Sequence, residues 1–309
     1  MKETQLATSE RLSTSFSKPA NNVRGFENSF LKHLFWKVAA LLPFSLPGYS
    51  FARAFYRPPS TAFFYGSPVP VDALSKFERV VVEAENLDDI GDFRIEGIDV
   101  FAYVSVGEAE GWRASSCALP KELFLGNNAA WGSRIADLTQ PNWRRYLIEN
   151  RMAVLWGLGY NGFFLDTLES YQSVVKSHAE QRAQSTALIE IICCIHQRFP
   201  GVKLLLNRGF EVLPKIGSLA VGLVAESLFQ SWNQTTQKYI SVSSNDHRWL
   251  LRQLNQARRR YGLPITVIDY VPPDMPELAR ETARRISALG FASWVATPGL
   301  DMLSAGVTP

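Results

Sequence analysis

Five carboxylates stand where short apolar runs give way to loops: Glu83, Glu108, Asp166, Glu226 and Asp269. Asp166 follows Gly162-Phe163-Phe164-Leu165, and Glu226 follows Val221-Gly222-Leu223-Val224-Ala225. An ionised group at the end of such a run loses hydration that only hydrogen bonds or another charge can replace, so both positions point to a task. Two carboxylates facing across a mouth suit glycosidic cleavage, in which one protonates the leaving oxygen while the other attacks or activates water. Other chemistries lack their residues. Cys117, Cys193 and Cys194, with His33, His178, His196 and His247, show neither Cys-x-x-Cys nor His-x-x-x-His spacing, so no metal site is expected. There is no Gly-x-Ser-x-Gly elbow, and no histidine ends an apolar run, which disfavours acyl-transfer hydrolysis. Gly157-Leu158-Gly159-Tyr160-Asn161-Gly162 satisfies G-x-G-x-x-G but follows a helix candidate and opens a strand candidate, the reverse of a dinucleotide fingerprint. It reads as a helix stop with glycine in the left-handed position.

Eight apolar runs can carry these groups: 62–65, 80–83, 100–106, 162–166, 202–207, 221–226, 265–269 and 291–295. They alternate with helical patterns, among them 141–158, where Thr139 or Asn142 would cap the start, and 179–199, 249–261 and 276–289. Near-continuous apolar strands alternating with helices predict a parallel sheet covered by helices, and eight units over residues 59–309 predict a (β/α)8 TIM barrel. An open doubly wound sheet would need a topological switch point that the pattern does not show. In a barrel the carboxyl ends of the strands share one rim. Tyr65, Glu83, Tyr103, Glu108, Asp166, Asn207, Glu226, Asp269 and Tyr270 are therefore expected around one mouth, with the long connection 107–161 making an ordered excursion over it. Trp112, Trp131 and Trp232 lie in loops after strand ends, where they could serve with the tyrosines as sugar platforms. Cys193 and Cys194 are expected to be buried in a helix.

The chain of 309 residues has 46% hydrophobic and 20% charged residues, which excludes a disordered protein. Its net charge of +3 is too slight for a nucleic-acid surface. Residues 1–58 hold eight Lys or Arg against three Glu, so the remainder is slightly acidic. Within this leader, Val38 to Pro47 is about the length of a signal-peptide hydrophobic region, and Ser50-Phe51-Ala52 offers a small-residue cleavage site. The leader predicts a secreted or periplasmic protein, or one tethered to a membrane through this segment. Arg258-Arg259-Arg260 falls on different faces of a helix and reads as solvated.

Several segments together resemble glycoside hydrolase family 114. They are Phe63-Phe64-Tyr65-Gly66, Tyr103-Val104-Ser105-Val106-Gly107-Glu108, Phe163 to Tyr171, Asn207-Arg208-Gly209-Phe210-Glu211, Ala225-Glu226-Ser227-Leu228-Phe229 and Asp269-Tyr270-Val271-Pro272. They run in order from Thr61 to Leu303 and are most similar to the branch of that family that processes the exopolysaccharide Pel. The resemblance implies a TIM barrel without cofactor. It implies a retaining, endo-acting enzyme on α-1,4-linked galactosamine and N-acetylgalactosamine polymers of the Pel or galactosaminogalactan type, with exopolysaccharide export components as further partners. By resemblance Asp166 is the nucleophile and Glu226 the general acid/base; Tyr65, Glu83, Tyr103, Glu108, Asn207, Asp269 and Tyr270, from their places at or near strand ends, are expected to contact substrate. Glu169 stands where the family often has aspartate. A deacetylated hexosamine is a cation, and Glu83, Glu108, Glu110, Asp137 and Glu169 are candidates to hold its ammonium groups. Clustering of acids would also raise the proton affinity of one member, as a general acid requires. Two other readings stay open: a non-catalytic polysaccharide-binding barrel of an export system, and an α-galactosidase-like exo-enzyme with a closed pocket.

Overall fold

The computed structural model describes residues 57–304 apart from 95, 96, 114, 115 and 117. All of the expected leader except its last two residues, and Cys117, lie outside the described residues.

Eight parallel strands make one sheet: β1 (Thr61–Phe64), β2 (Arg79–Val82), β3 (Asp99–Ser105), β7 (Gly162–Asp166), β8 (Lys203–Asn207), β9 (Gly222–Glu226), β12 (Ile265–Tyr270) and β13 (Ala292–Ala296). They neighbour one another in that order, and β13 lies back against β1, so the sheet nearly closes into a (β/α)8 barrel. Each of the eight apolar runs forms one of these strands, within one or two residues of its expected ends. Strands buried on both faces must be apolar throughout, which is why they were legible as unbroken runs. Ala62, Phe63, Val80, Val81, Val82, Phe163, Leu165, Leu204 and Leu206 are all fully buried.

The outer helices bury one stripe each. In α2 (His178–Arg198) the buried aliphatics are Leu188, Ile191, Ile192 and Ile195, and in α4 (Pro276–Ala288) Ala279, Thr282, Ala283 and Ile286 recur at the same spacing of three and four. The hydroxyl of Ser243 caps α3 (Ser244–Tyr261) by accepting from the Asp246 N–H at 3.1 Å. Helix α1, residues 141–158, departs from expectation at its start. Gln140 occupies the cap position without a side-chain bond and Pro141 fills the first turn, while the Thr139 hydroxyl is taken by Asp137 at 2.6 Å. The same helix widens over Tyr146–Met152, where the Ala153 N–H reaches back five residues to the Ile148 carbonyl. Gly159, at φ 101°, stops it as expected. Cys193 and Cys194 are free and only half-buried, a correction to their expected burial.

The long third connection is an ordered excursion, as its length suggested. Strands β4 (Glu108–Glu110), β5 (Phe124–Asn128) and β6 (Ser133–Ala136) form a three-stranded antiparallel sheet beside the mouth. After Glu226 a second insertion, the hairpin β10 (Gln230–Asn233) and β11 (Lys238–Ser241), stands on the same rim.

Candidate active site

Side chains alternate along a strand, so only every second residue faces the barrel axis. Tyr103 with Ser105, Phe164 with Asp166, and Ile268 with Tyr270 line one cleft of about 520 Å³ at the carboxyl ends of the strands. Tyr65, Glu83, Glu108 and Glu226 line it too, and Asn207 reaches the carboxylates from between their strands. Eight of the nine residues expected at the mouth thus gather there.

One amide joins the central pair. The Asn207 Nδ2 group donates to Asp166 Oδ1 and to Glu226 Oε1, both at 2.7 Å. The two oxygens can therefore be no farther apart than twice 2.7 Å. The other oxygens are held just as symmetrically: the Tyr103 hydroxyl donates to Asp166 Oδ2 at 3.0 Å and the Tyr270 hydroxyl to Glu226 Oε2 at 2.6 Å. Reversing the amide would set its oxygen against two carboxylates, so its orientation is dictated even though buried Asn207 Oδ1 finds no partner. Burial, then the charge of Glu226, pushes the Asp166 carboxyl up to about 6. Burial, with the charge of Asp166 and, at Tyr65 and Tyr270, that of Glu226, pushes Tyr65, Tyr103 and Tyr270 well above the usual phenol range, which keeps them protonated as donors.

Each member of this row is followed by a strained residue. Thr167, Arg208 and Ser227, directly after Asp166, Asn207 and Glu226, have φ of 59°, 56° and 65°. A left-handed non-glycine residue costs roughly 1–2 kcal/mol, and three on neighbouring strands turn the chain sharply directly after these side chains. The bends are pinned: Thr167 Oγ1 accepts the Gly107 N–H at 2.8 Å, and Arg208 Nη2 donates to the Glu226 carbonyl at 2.9 Å. A Cβ on Gly107 would collide with the Thr167 carbonyl, which explains the glycine before Glu108. No local sequence signal marks this strain, because Thr, Arg and Ser are not left-handed formers.

Asp269 is the exception among the expected site residues. It neighbours Tyr270, so it faces the opposite way, away from the cleft and wholly buried at 0% exposure. Its carboxylate accepts the backbone N–H groups of Leu228, Phe229 and Gln230 at 2.6, 2.8 and 2.9 Å, fixing the loop that leaves Glu226. It is a loop anchor and not a substrate contact.

The remaining acids divide sharply. Arg113, which the sequence did not single out, forms ion pairs with Glu83, Glu85 and Glu110, and Arg151 adds a second cation to Glu85 at 2.7 Å. Burial pushes Glu83 up to about 8, while Glu85, against its own burial, is held low by hydrogen bonds to Glu83, Arg113 and Arg151. Glu83 and Glu110 thus line the cleft already neutralised. Glu108, 6% exposed, accepts instead from neutral donors: Ser170 Oγ at 2.5 Å, Asn128 Nδ2 at 3.1 Å and the Ser133 hydroxyl. Asp137 and Glu169 do not line the cleft. Asp137 is bonded to Thr139, Gln140 and Gln184, and Glu169 accepts the Gly209 N–H at 3.0 Å. Of the tryptophans, Trp112 and Trp131 line the cleft with 62% and 58% exposure. Trp232 instead packs edge-on against Tyr239 within the hairpin. Among the described residues no group of three or more His, Cys, Asp or Glu could hold a metal ion.

The profile of glycoside-hydrolase family GH114 matches residues 51–307. The glycoside hydrolase domain of PelA from Pseudomonas aeruginosa is 39% identical over 80% of this chain and 97% of that one, with a TM-score of 0.74. Ega3 from Aspergillus fumigatus, solved in complex with galactosamine, shares the fold at 16% identity and a TM-score of 0.56, over 80% of this chain and 94% of that one. No curated protein matches the chain. A profile match across nearly the whole barrel, with a 39% identical hydrolase domain, settles the classification: the chain belongs to glycoside hydrolase family 114.

Proposed function

We propose that this glycoside hydrolase cleaves α-1,4-linked galactosamine polysaccharides within the chain and with retention of anomeric configuration. The observation that carries the proposal is the single Asn207 nitrogen bonded to both carboxylates. It keeps the nearest oxygens of Asp166 and Glu226 within the roughly 5–5.5 Å typical of retaining pairs and far below the roughly 6.5–9.5 Å that an inverting enzyme needs to admit a water. Asp166 attacks the anomeric carbon as the leaving oxygen takes a proton from Glu226. Glu226 then removes a proton from the water that displaces Asp166 from the sugar. Asn207, Tyr103 and Tyr270 orient the pair and donate hydrogen bonds to whichever oxygens carry charge. The substrate class is supported by the family, by the galactosamine bound to Ega3 and by a cleft lined with carboxylates and two exposed tryptophans.

The test is to digest a partly deacetylated α-1,4-galactosamine polymer and follow the first products by proton NMR. New reducing ends that appear as the α anomer before mutarotation, on oligomers of mixed length, are expected. A first-formed β anomer overturns retention. Monosaccharide as the sole early product points to exo action, and binding without new reducing ends points to a non-catalytic barrel.

A further inference from the structure

Trp112 stands in the turn that follows β4, lines the cleft and is 62% exposed. So exposed an indole has several rotamers open to it, and ordering it costs free energy each time a ligand binds. The next residue removes that freedom. The Arg113 guanidinium carbon lies 4.1 Å from the centroid of the Trp112 ring, so one face of the indole rests on a planar cation and the other is left to the cleft.

Arg113 itself does not line the cleft, and its side chain is 5% exposed. Its Nη1 lies 3.0 Å from one oxygen of Glu83 and 2.6 Å from Glu85, its Nη2 donates to the other oxygen of Glu83, and its Nε donates to Glu110. Glu83 and Glu85 come directly after β2, so the guanidinium is fastened to the barrel itself, while Glu110 fastens it to the excursion. A rigid, planar fork can meet three carboxylates in this way and still offer a flat face to a ring, which a flexible ammonium cannot. The turn is gripped from its other side as well. A Cβ on Gly111 would lie 2.8 Å from the Gly132 carbonyl oxygen, so the backbone before Trp112 lies directly against the backbone after Trp131.

We infer that Arg113 is a positioning residue for polysaccharide binding: it carries the fixed geometry of the β2 end to the Trp112 indole and keeps the open face of that ring toward the sugar. The inference rests on the proposed function and adds to it a residue that acts only through another side chain. Holding one exposed ring in its bound orientation corresponds to roughly 3- to 10-fold in KM for polymer. The chemical step gains nothing from it, because a ring lying against a sugar away from the reacting bond holds ground state and transition state alike.

The test is the Arg113→Lys variant of the full-length protein, which keeps a cation among the three carboxylates and removes the planar face. On α-1,4-galactosamine polymer, followed as new reducing ends, KM should rise roughly 3- to 10-fold while kcat stays within about twofold. Trp112→Ala should raise KM at least as much, and in that background Arg113→Lys should raise it no further. An unchanged KM in Arg113→Lys overturns the inference. So does a further rise in the double variant, which would mean that Arg113 acts through the fold or through the charge of the cleft and not through the indole. Glu85→Gln takes one carboxylate from Arg113 without touching the cleft lining, and it serves if Arg113→Lys does not fold. A rise in KM that depends on Trp112 supports the inference there, and an unchanged KM overturns it. Should the wild type release no reducing ends, the proposed function fails, and affinity electrophoresis through gels holding the polymer makes the same comparison without cleavage. Retardation that Arg113→Lys weakens only when Trp112 is present sustains the role of Arg113, and no retardation of the wild type overturns it.

Discussion

Asp166 and Asp269 are the same residue type near the carboxyl ends of their strands, the last residue of one and the last but one of the other. Asp166 sits beside a second carboxylate, shares one amide with it and opens onto the cleft. Asp269 accepts three backbone N–H groups on the far side of the sheet and touches no other acid. One residue of register separates the two outcomes, since the neighbour of Asp269, Tyr270, faces the cleft in its place. A buried carboxylate is therefore not in itself a catalytic one. What distinguishes the pair proposed to react is that it opens onto the cleft and its two carboxyls adjoin each other, whereas Asp269 is turned away into holding a loop.

The contrast is sharpest in activity. Asp166→Asn and Glu226→Gln should each lower kcat by about 10³-fold or more on galactosamine polymer, measured as new reducing ends, because each removes a reacting group. Asp269→Asn should leave the pair intact at low temperature and act on stability instead. Its amide group would face three N–H donors with one acceptor, and a loss of roughly 1–3 kcal/mol in chemical denaturation is expected. A loss of activity from Asp269→Asn as large as that from Asp166→Asn, in protein that remains folded, would erase the distinction.

Next in size is Asn207→Ala. It removes the bridge without removing either acid, so kcat should fall by roughly 10²-fold with little change in KM. A rise in KM alone would return Asn207 to the substrate contact expected of it at its strand end.

Titration does not separate the two aspartates by direction, since burial pushes Asp269 up as well, to about 7. The folded-state value of about 6 for Asp166 lies above the usual carboxylate range, because burial and the Glu226 charge disfavour its ionised form. Wild-type stability should therefore decline as pH rises from about 4 through about 6 to 7, and Asp166→Asn should escape the part of that decline due to Asp166. The variant should be more stable by about 1–3 kcal/mol at pH 7, with the difference vanishing near pH 4, in paired thermal melts. The same titration places the acid limb of wild-type kcat/KM, which should rise through about pH 6 as Asp166 ionises and becomes competent to attack. Trp131→Ala should show the smallest effect, a several-fold rise in KM for polymer with kcat nearly unchanged, since its exposed ring can only lend a face to the sugar.

How much was visible beforehand follows from what is local. The eight strands were legible because a parallel strand buried on both faces must be apolar throughout, and Asp166 and Glu226 stood out because each interrupts such a run. Asp269 interrupts its run in the same way, and it misled because a run apolar on both faces does not show which parity faces the axis. The clue available was Tyr270, since two adjacent residues cannot both point into the barrel. Arg113 was not legible at all. It sits in the excursion, without periodicity, and its partners Glu83 and Glu85 lie about thirty positions away, brought near only by the folding of that excursion.

By itself, the sequence determined the barrel, the rim on which chemistry could gather and the two acids proposed to carry it, because those depend on hydrophobic period and on the cost of placing charge after an apolar run. The tertiary structure decided which acids are spent on arginine, which anchors a loop, which two share an amide and which is left uncompensated. Those outcomes depend on distances of about 3 Å between residues from separate strands and loops, and neither period nor composition carries that information.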